Sequence, residues 1–281
     1  MSKKIDGVFR AKDLTESIWE LYEGKSQKRY DIGFTSGKDL FKIIKPSFIC
    51  MTGIPNCGKS SFTYDVLMRT ARQYGMSYMI FSPEHSNAVN LKRLVEKFCH
   101  KPFDHIFTNR ANEKEVLDAI EFIHEHFYFV DMKEESPNID WILDRARQVH
   151  KVYNIDGMLL DPYNEINPAR ANLREDEHIS LLISKIKRFN RETDTVTFMV
   201  AHPTKQIRGA DGTYEVKSAY DISGSSHWAN KSDLIVIVTR DYQSETTNIR
   251  IAKVREIDVQ GQIGSFTVKW NNKTKCYDDW I

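Results

Sequence analysis

Residues 47–62 read SFICMTGIPNCGKSSF. An apolar run ends in Gly53-x-x-x-x-Gly58-Lys59-Ser60, and a helical pattern follows over 59–74. Glycines at both ends of such a loop let backbone N–H groups turn inward, and the helix start adds the positive end of its dipole. The stretch is therefore built to hold phosphate oxygens. Lys59 is spaced to reach the outer phosphates and Ser60 to ligate Mg²⁺. The cradle expected from this motif comprises Gly53, Ile54, Pro55, Asn56, Cys57, Gly58, Lys59, Ser60 and Ser61.

Outward from the loop, short apolar runs alternate with helical patterns. Strands are expected at 48–52, 77–82, 127–131, 156–161, 195–201 and 233–239, and helices at 88–100, 113–126, 139–153 and 173–192. Such alternation predicts an α/β domain with a mostly parallel sheet covered by helices on both faces. Residues 248–256 and 265–271, separated by Gly261 and Gly264, read as a C-terminal antiparallel hairpin. Ahead of the domain, 13–24 reads as a helix, with Asp13 and Glu16 in capping-box spacing, an apolar face of Leu14, Ile18 and Leu21, and Gly24 as a stop. Residues 26–39 are polar and read as a linker. The expected division is an arm over 1–40 and an ATPase domain over 41–281.

The 281 residues carry a net charge of only +1, so no global field draws the protein to nucleic acid. Cys50, Cys57, Cys99 and Cys276 form no CxxC pair, which predicts free thiols in a reducing compartment. No apolar run approaches the ~20 residues that span a membrane, and the start lacks a signal-peptide core. A cytoplasmic protein is expected.

Three polar residues follow expected strands and would share the loop's edge of a parallel sheet. Asp161 ends the run Met158–Leu160 and suits a second Mg²⁺ contact from a neighbouring strand, or else caps the turn Asp-Pro-Tyr-Asn. Glu84, after the strand at 77–82, either orients an attacking water or is a surface acid at a helix start. His202 either senses the outer phosphate or is a structural histidine. Position alone does not choose. Trp228 reads as core.

The ordered series GIPNCGKS, FSPE, LLDPYNE, VAHPTK, YDISGSSHWANKSD and KVRE resembles the RecA-fold helicase domain of the DnaB-like replicative ring helicases. It is most similar to the branch that holds Twinkle and the phage primase-helicases. The resemblance covers 10–280. It implies that Lys59, Glu84, His202 and Arg255 are catalytic. Glu84 would activate water, Asp161 would be the Walker B aspartate, and His202 would link hydrolysis to the DNA loops. Arg255, which spacing alone would make a solvated strand arginine, becomes a finger reaching the ATP of an adjacent subunit, with Lys253 beside it. Arg240 and Trp270 would flank the base.

The same resemblance implies ATP or a dNTP with Mg²⁺, a head-to-tail homo-hexamer, single-stranded DNA in its channel, and 5′→3′ movement. The long polar segment between His202 and Ser232 would carry the DNA contacts, with Lys205, Arg208, Gly224, Ser225 and Lys231 the expected residues. The helix at 13–24 would dock on the next subunit. With no primase or zinc module in the sequence, a primase or polymerase would be a separate partner, as in compact phage genomes. The rival readings are a RecA-type recombinase or other DNA-stimulated ATPase without unwinding, a small-molecule kinase, and a non-catalytic assembly module. No arginine-rich lid supports the kinase, and the presence of Glu84 and Arg255 opposes the assembly module.

Overall fold

The computed structural model describes residues 5–25, 28–132, 137–168, 173–204 and 216–279. Helix α1 (Thr15–Tyr22) follows a single 3₁₀ turn at Ala11–Leu14 and buries none of its residues. The expected capping box does not form there. Asp13 instead accepts from the Arg10 N–H at 2.9 Å, capping the 3₁₀ turn one step earlier. Gly24, at φ +69°, ends the helix as expected.

The polar stretch read as a linker belongs to the domain from Arg29 onward. Strands β1 (Arg29–Asp31) and β2 (Lys42–Ile44) pair antiparallel, and between them Ile32 and Phe34 are fully buried. Phe34 stacks on Phe62 at 5.4 Å and lies under the Arg69 guanidinium at 4.0 Å. Few apolar residues suffice here because two aromatic and aliphatic anchors carry the packing, so composition alone understated the segment.

The centre of the molecule is a nine-stranded sheet. Its parallel part consists of β3 (Ser47–Thr52), β4 (Tyr78–Phe81), β5 (Phe127–Phe129), β6 (Gly157–Leu160), β7 (Val196–Val200) and β8 (Leu234–Asp241). An antiparallel meander of β9 (Thr246–Val254), β10 (Gly264–Asn271) and β11 (Cys276–Asp279) continues from β8. The strand order is β11-β10-β9-β8-β3-β7-β6-β4-β5. The expected C-terminal hairpin is thus present, with β11 as an additional edge strand.

Every residue of β3 is buried, as a central strand covered on both faces requires. Its side chains alternate between two cores. Ile49 and Met51 join Phe62 and Leu67 of α2 (Lys59–Tyr74), Leu94 of α3 (Asn87–Cys99) and Ile123 of α4 (Glu113–His126). Phe48 and Cys50 join Ile142 of α5 (Ile139–Tyr153) and Ile183 and Phe189 of α6 (Glu175–Thr193). Two short helices, α7 (His227–Lys231) and α8 (Ile257–Gln260), precede β8 and β10 respectively. Trp228 of α7 is fully buried, as expected; it stacks against Phe48, and its indole N–H donates to the Ser223 carbonyl at 2.9 Å.

Candidate nucleotide-binding site

The loop leaves the carboxyl end of β3 and enters α2 at Lys59. Gly53 and Gly58 both lie at positive φ, +152° and +94°. A Cβ on Gly58 would stand 2.1 Å from the Tyr277 hydroxyl, and one on Gly53 would stand 2.2 Å from the Val238 carbonyl oxygen. Both glycines are therefore required by space as well as by conformation. Asn56 also takes a left-handed φ of +64°, which Asn tolerates better than other side chains. Its carbonyl accepts from the Tyr242 hydroxyl at 2.9 Å.

A cleft of about 450 Å³ opens over the loop, within the range of small-molecule sites. Pro55, Asn56, Gly58, Lys59, Ser60, Ser61, Glu84, Asp161, His202, Arg240 and Trp270 all line it. The sequence-predicted residues Gly53, Ile54 and Cys57 do not. Cys57 is fully buried, with its side chain in the core beneath the loop, and burial pushes its thiol pKa up. It fills space and presents no reactive thiolate to the cleft.

Lys59 is buried, and its ammonium donates to the carbonyls of Gly53 and Ile54 at 2.8 and 2.9 Å. Burial lowers its pKa, opposed by the charges of Asp161 and Glu84. Asp161 is buried at the end of β6, and desolvation raises its carboxyl to about 6, with the nearby Ser60 hydroxyl acting in the opposite direction. An alcohol and a carboxylate facing each other form an all-oxygen pair, which suits Mg²⁺ with phosphate and water completing its shell. The residues thus fit the metal.

Asp161 was expected on the strand next to the loop strand. Instead β7 lies between β3 and β6, and β7 leads to His202, which lines the same cleft as the loop and the carboxylate. His202 Nδ1 is buried without a hydrogen-bond partner among the described residues. Burial, then the Lys59 charge, holds its pKa below the usual value, so the ring is neutral at pH 7. Its carbonyl accepts from the Ser223 N–H at 3.0 Å, which ties the site to the polar segment beyond.

Glu84 stands after β4, and buried Asn90 of α3 fixes the backbone around it. The Asn90 amide donates to the carbonyls of Ser82 and His85, while its oxygen accepts from Tyr64 at 3.1 Å. The cleft also contains His85, Arg93 and Tyr277, which sequence reasoning missed. Arg93 sits mid-helix and Tyr277 on the unrecognised β11, so neither had a motif to announce it.

Arg255 and Lys253 do not line this cleft. Arg255 follows the last residue of β9, which pairs with the beginning of β8, so it lies at the opposite end of the sheet from the loop. Its guanidinium meets Asp233 and the carbonyls of Asn230, Lys231 and Ser232. Lys253 donates to the Ala229 and Asn230 carbonyls, and desolvation lowers its pKa to about 8.

Of the expected DNA contacts, Lys205 and Arg208 lie outside the described residues. Gly224, at φ +88°, packs against Glu175 and Ile179, and the Ser225 hydroxyl accepts from the His227 N–H. The Lys231 ammonium is bound to the Ser180 carbonyl and to the hydroxyls of Ser180 and Ser184, all within 2.8 Å. Three acceptors on α6 hold it against its own domain, so it does not extend from a loop as expected.

A parallel sheet with a glycine-bounded loop on its central strand, and an acid and an imidazole at the same edge, defines a P-loop nucleotide-binding domain of the RecA-like type. More particularly, residues 33–279 match the DnaB-like helicase C terminal domain, and the chain belongs to that family. It is 31% identical over 286 residues to the Twinkle homolog protein, chloroplastic/mitochondrial, of Arabidopsis thaliana, covering 97% of this chain and 40% of that one. It is 20% identical over 240 residues to a probable plasmid replicative DNA helicase of Chlamydia psittaci, covering 81% and 50%. The chain thus spans half or less of the length of these relatives. Its fold is similar to a solved ATPase domain, with a TM-score of 0.78 at 18% identity over 99% of this chain and 100% of that one. A DnaB-like replicative helicase, solved with its interactions with primase, gives 0.76 at 18% identity over 100% and 69%.

Proposed function

We propose that this chain is the motor domain of an ATP-dependent replicative DNA helicase, hydrolysing nucleotide between neighbouring copies in a hexameric ring and moving on single-stranded DNA to unwind duplex. One observation carries this reading. The loop, Glu84, Asp161 and His202 meet in one cleft, whereas Arg255 and Lys253 lie at the far end of the same sheet. A cation there is useless to its own cleft and well placed for a neighbour's in a head-to-tail assembly.

Within the cleft, the loop N–H groups and Lys59 hold the phosphates, which requires Lys59 to leave its two loop carbonyls. Ser60 and Asp161 would hold Mg²⁺, which when bound neutralises charge on the phosphates. Glu84 orients the attacking water by accepting its proton, and Arg255 from the neighbour stabilises charge in the transition state. Arg240 and Trp270 bracket the base. His202 reports the state of the outer phosphate through Ser223 to the DNA-facing segment, where Lys205, Arg208, Gly224 and Ser225 are the proposed contacts. The exposed apolar face of α1, with Trp19 56% and Tyr22 81% exposed, is proposed to dock on the next copy. A separate primase or polymerase would act with the ring.

The test is strand displacement on a forked DNA with ATP, comparing the wild type with Glu84→Gln. The wild type should unwind, and the variant should bind ATP and DNA without unwinding. Hydrolysis stimulated by DNA but without displacement would instead support an ATPase of the recombinase kind.

A further inference from the structure

Trp270 and Tyr277 form one wall of the cleft, and a buried ion pair outside the cleft fixes both. Asp65 of α2 and Lys97 of α3 meet at 3.1 Å, with side chains only 3% and 4% exposed. Withdrawing two charges from water costs several kcal/mol per ion, so such a pair is a poor source of stability by itself. What distinguishes this one is where its remaining hydrogen bonds go. Asp65 Oδ2 also accepts from the Tyr277 N–H at 2.9 Å, and the Lys97 ammonium donates to the Lys275 carbonyl. Both partners therefore grip the backbone of the β10–β11 hairpin.

The pair also addresses the rings. The Lys97 ammonium lies 4.6 Å from the Trp270 ring centroid and 5.9 Å from that of Tyr277. Trp270 and Tyr277 are paired across the two strands, and their rings meet edge-on at 5.1 Å. Trp270 lines the cleft and Lys97 does not, so the ammonium approaches the indole from within the protein. Asp65 lies on the same helix as Lys59 and Ser60, and Lys97 on the helix that follows Glu84.

We propose that Asp65 and Lys97 are positioning residues for the nucleobase: they lock the Trp270–Tyr277 wall to the phosphate-loop helix and set how strongly the site prefers a nucleoside triphosphate over a bare phosphate chain. This rests on the reading of Trp270 as the stacking surface. The charge on Lys97 holds the indole by a cation–π contact, and the hairpin grip sets the distance between that ring and the loop. Phosphate binding is left to the loop, so the two affinities separate.

The experiment is calorimetric binding of Mg²⁺–ATP and Mg²⁺–tripolyphosphate to the whole chain, wild type against Asp65→Asn/Lys97→Met. Asn at 65 still offers an oxygen to the Tyr277 N–H, and both charges are gone. ATP affinity should fall about three- to tenfold while tripolyphosphate affinity and thermal melting stay unchanged. Asp65→Asn/Lys97→Gln, which restores a donor toward Lys275, gives the same readout if the first variant folds poorly. Equal loss for both ligands, or no loss for either, would overturn the proposal. Trp270→Ala separates the two levels. If it leaves the preference for ATP intact, the stacking reading itself fails; if it abolishes the preference and the pair variants do not, only the role of Asp65 and Lys97 fails.

Discussion

Asp233 binds Arg255 and the loop strand at once: its Oδ1 accepts from Arg255 Nε at 2.8 Å, and its Oδ2 accepts from the Phe48 N–H of β3 at 2.9 Å. Lys187 joins the same Oδ1 at 2.5 Å. The guanidinium is thus held in a fixed place by a residue that also touches the strand feeding the phosphate loop. Arg255→Ala should lower DNA-stimulated phosphate release by roughly 10³-fold, the scale of a lost trans arginine, with ATP binding retained. Asp233→Asn should fall between this variant and the wild type. Mixing Arg255→Ala protein into wild type should inhibit beyond simple dilution; strictly proportional loss would mean that the arginine serves its own subunit.

Asp161 gives the site a pH signature. Its ordinary carboxyl pKa of 3.8 is raised to about 6 in the folded, ligand-free domain, chiefly by burial. The folded state therefore binds the extra proton between these two values. The ionised carboxylate weakens the fold progressively as pH rises from about 4 to 6, and fully above that, by on the order of 3 kcal/mol. Asp161→Asn should melt higher than wild type at pH 7.5 without ligand, with the gap closing near pH 4. A gap independent of pH would show that burial does not control this carboxyl.

His202 is neutral, half-buried and linked through its carbonyl to Ser223. His202→Asn should bind ATP within about threefold of wild type yet lose DNA stimulation of hydrolysis by on the order of tenfold or more, the size of an ordinary coupling between sites. Steady-state phosphate release with and without single-stranded DNA measures this. Undiminished stimulation would remove His202 from the link.

Gly58 carries two constraints that can be separated. Gly58→Ala adds left-handed backbone strain of about 1–2 kcal/mol and sets a methyl group against the Tyr277 hydroxyl. The variant should lose nucleotide binding and melt several degrees lower. Adding Tyr277→Phe should recover part of the melting temperature, because it removes the oxygen in the way but not the strain. No recovery would place the whole cost in the backbone.

Much of the sheet was legible because its strands are short apolar runs separated by helical periodicity, and the loop because its glycine spacing has one physical purpose. Glu84, Asp161 and His202 could be placed at one edge from strand polarity alone. Three things escaped. Ile32 and Phe34 lie in a polar stretch whose composition hides two buried anchors. Strand β11 is four residues with Asp278 and Asp279 in it, too polar to read as an edge strand. Lys231 looks in sequence like any loop cation, and only the fold brings Ser180 and Ser184 beneath it. These are consequences of distant residues meeting, which local patterns do not encode.

The distance between loop and arginine has an arithmetic consequence. From Phe48, beside Asp233, to Thr52, where the loop begins, β3 runs roughly 13 Å, so under the proposed trans role of Arg255 one copy would own two separate half-sites and complete neither. A row of copies joined end to end would always have one complete site fewer than it has members, with an idle loop at one terminus and an idle arginine at the other. Closing the row into a circle adds no new residue and no new kind of contact, yet it raises the count of complete sites to equal the number of copies. In such an assembly, turnover per subunit would itself report whether the circle is shut.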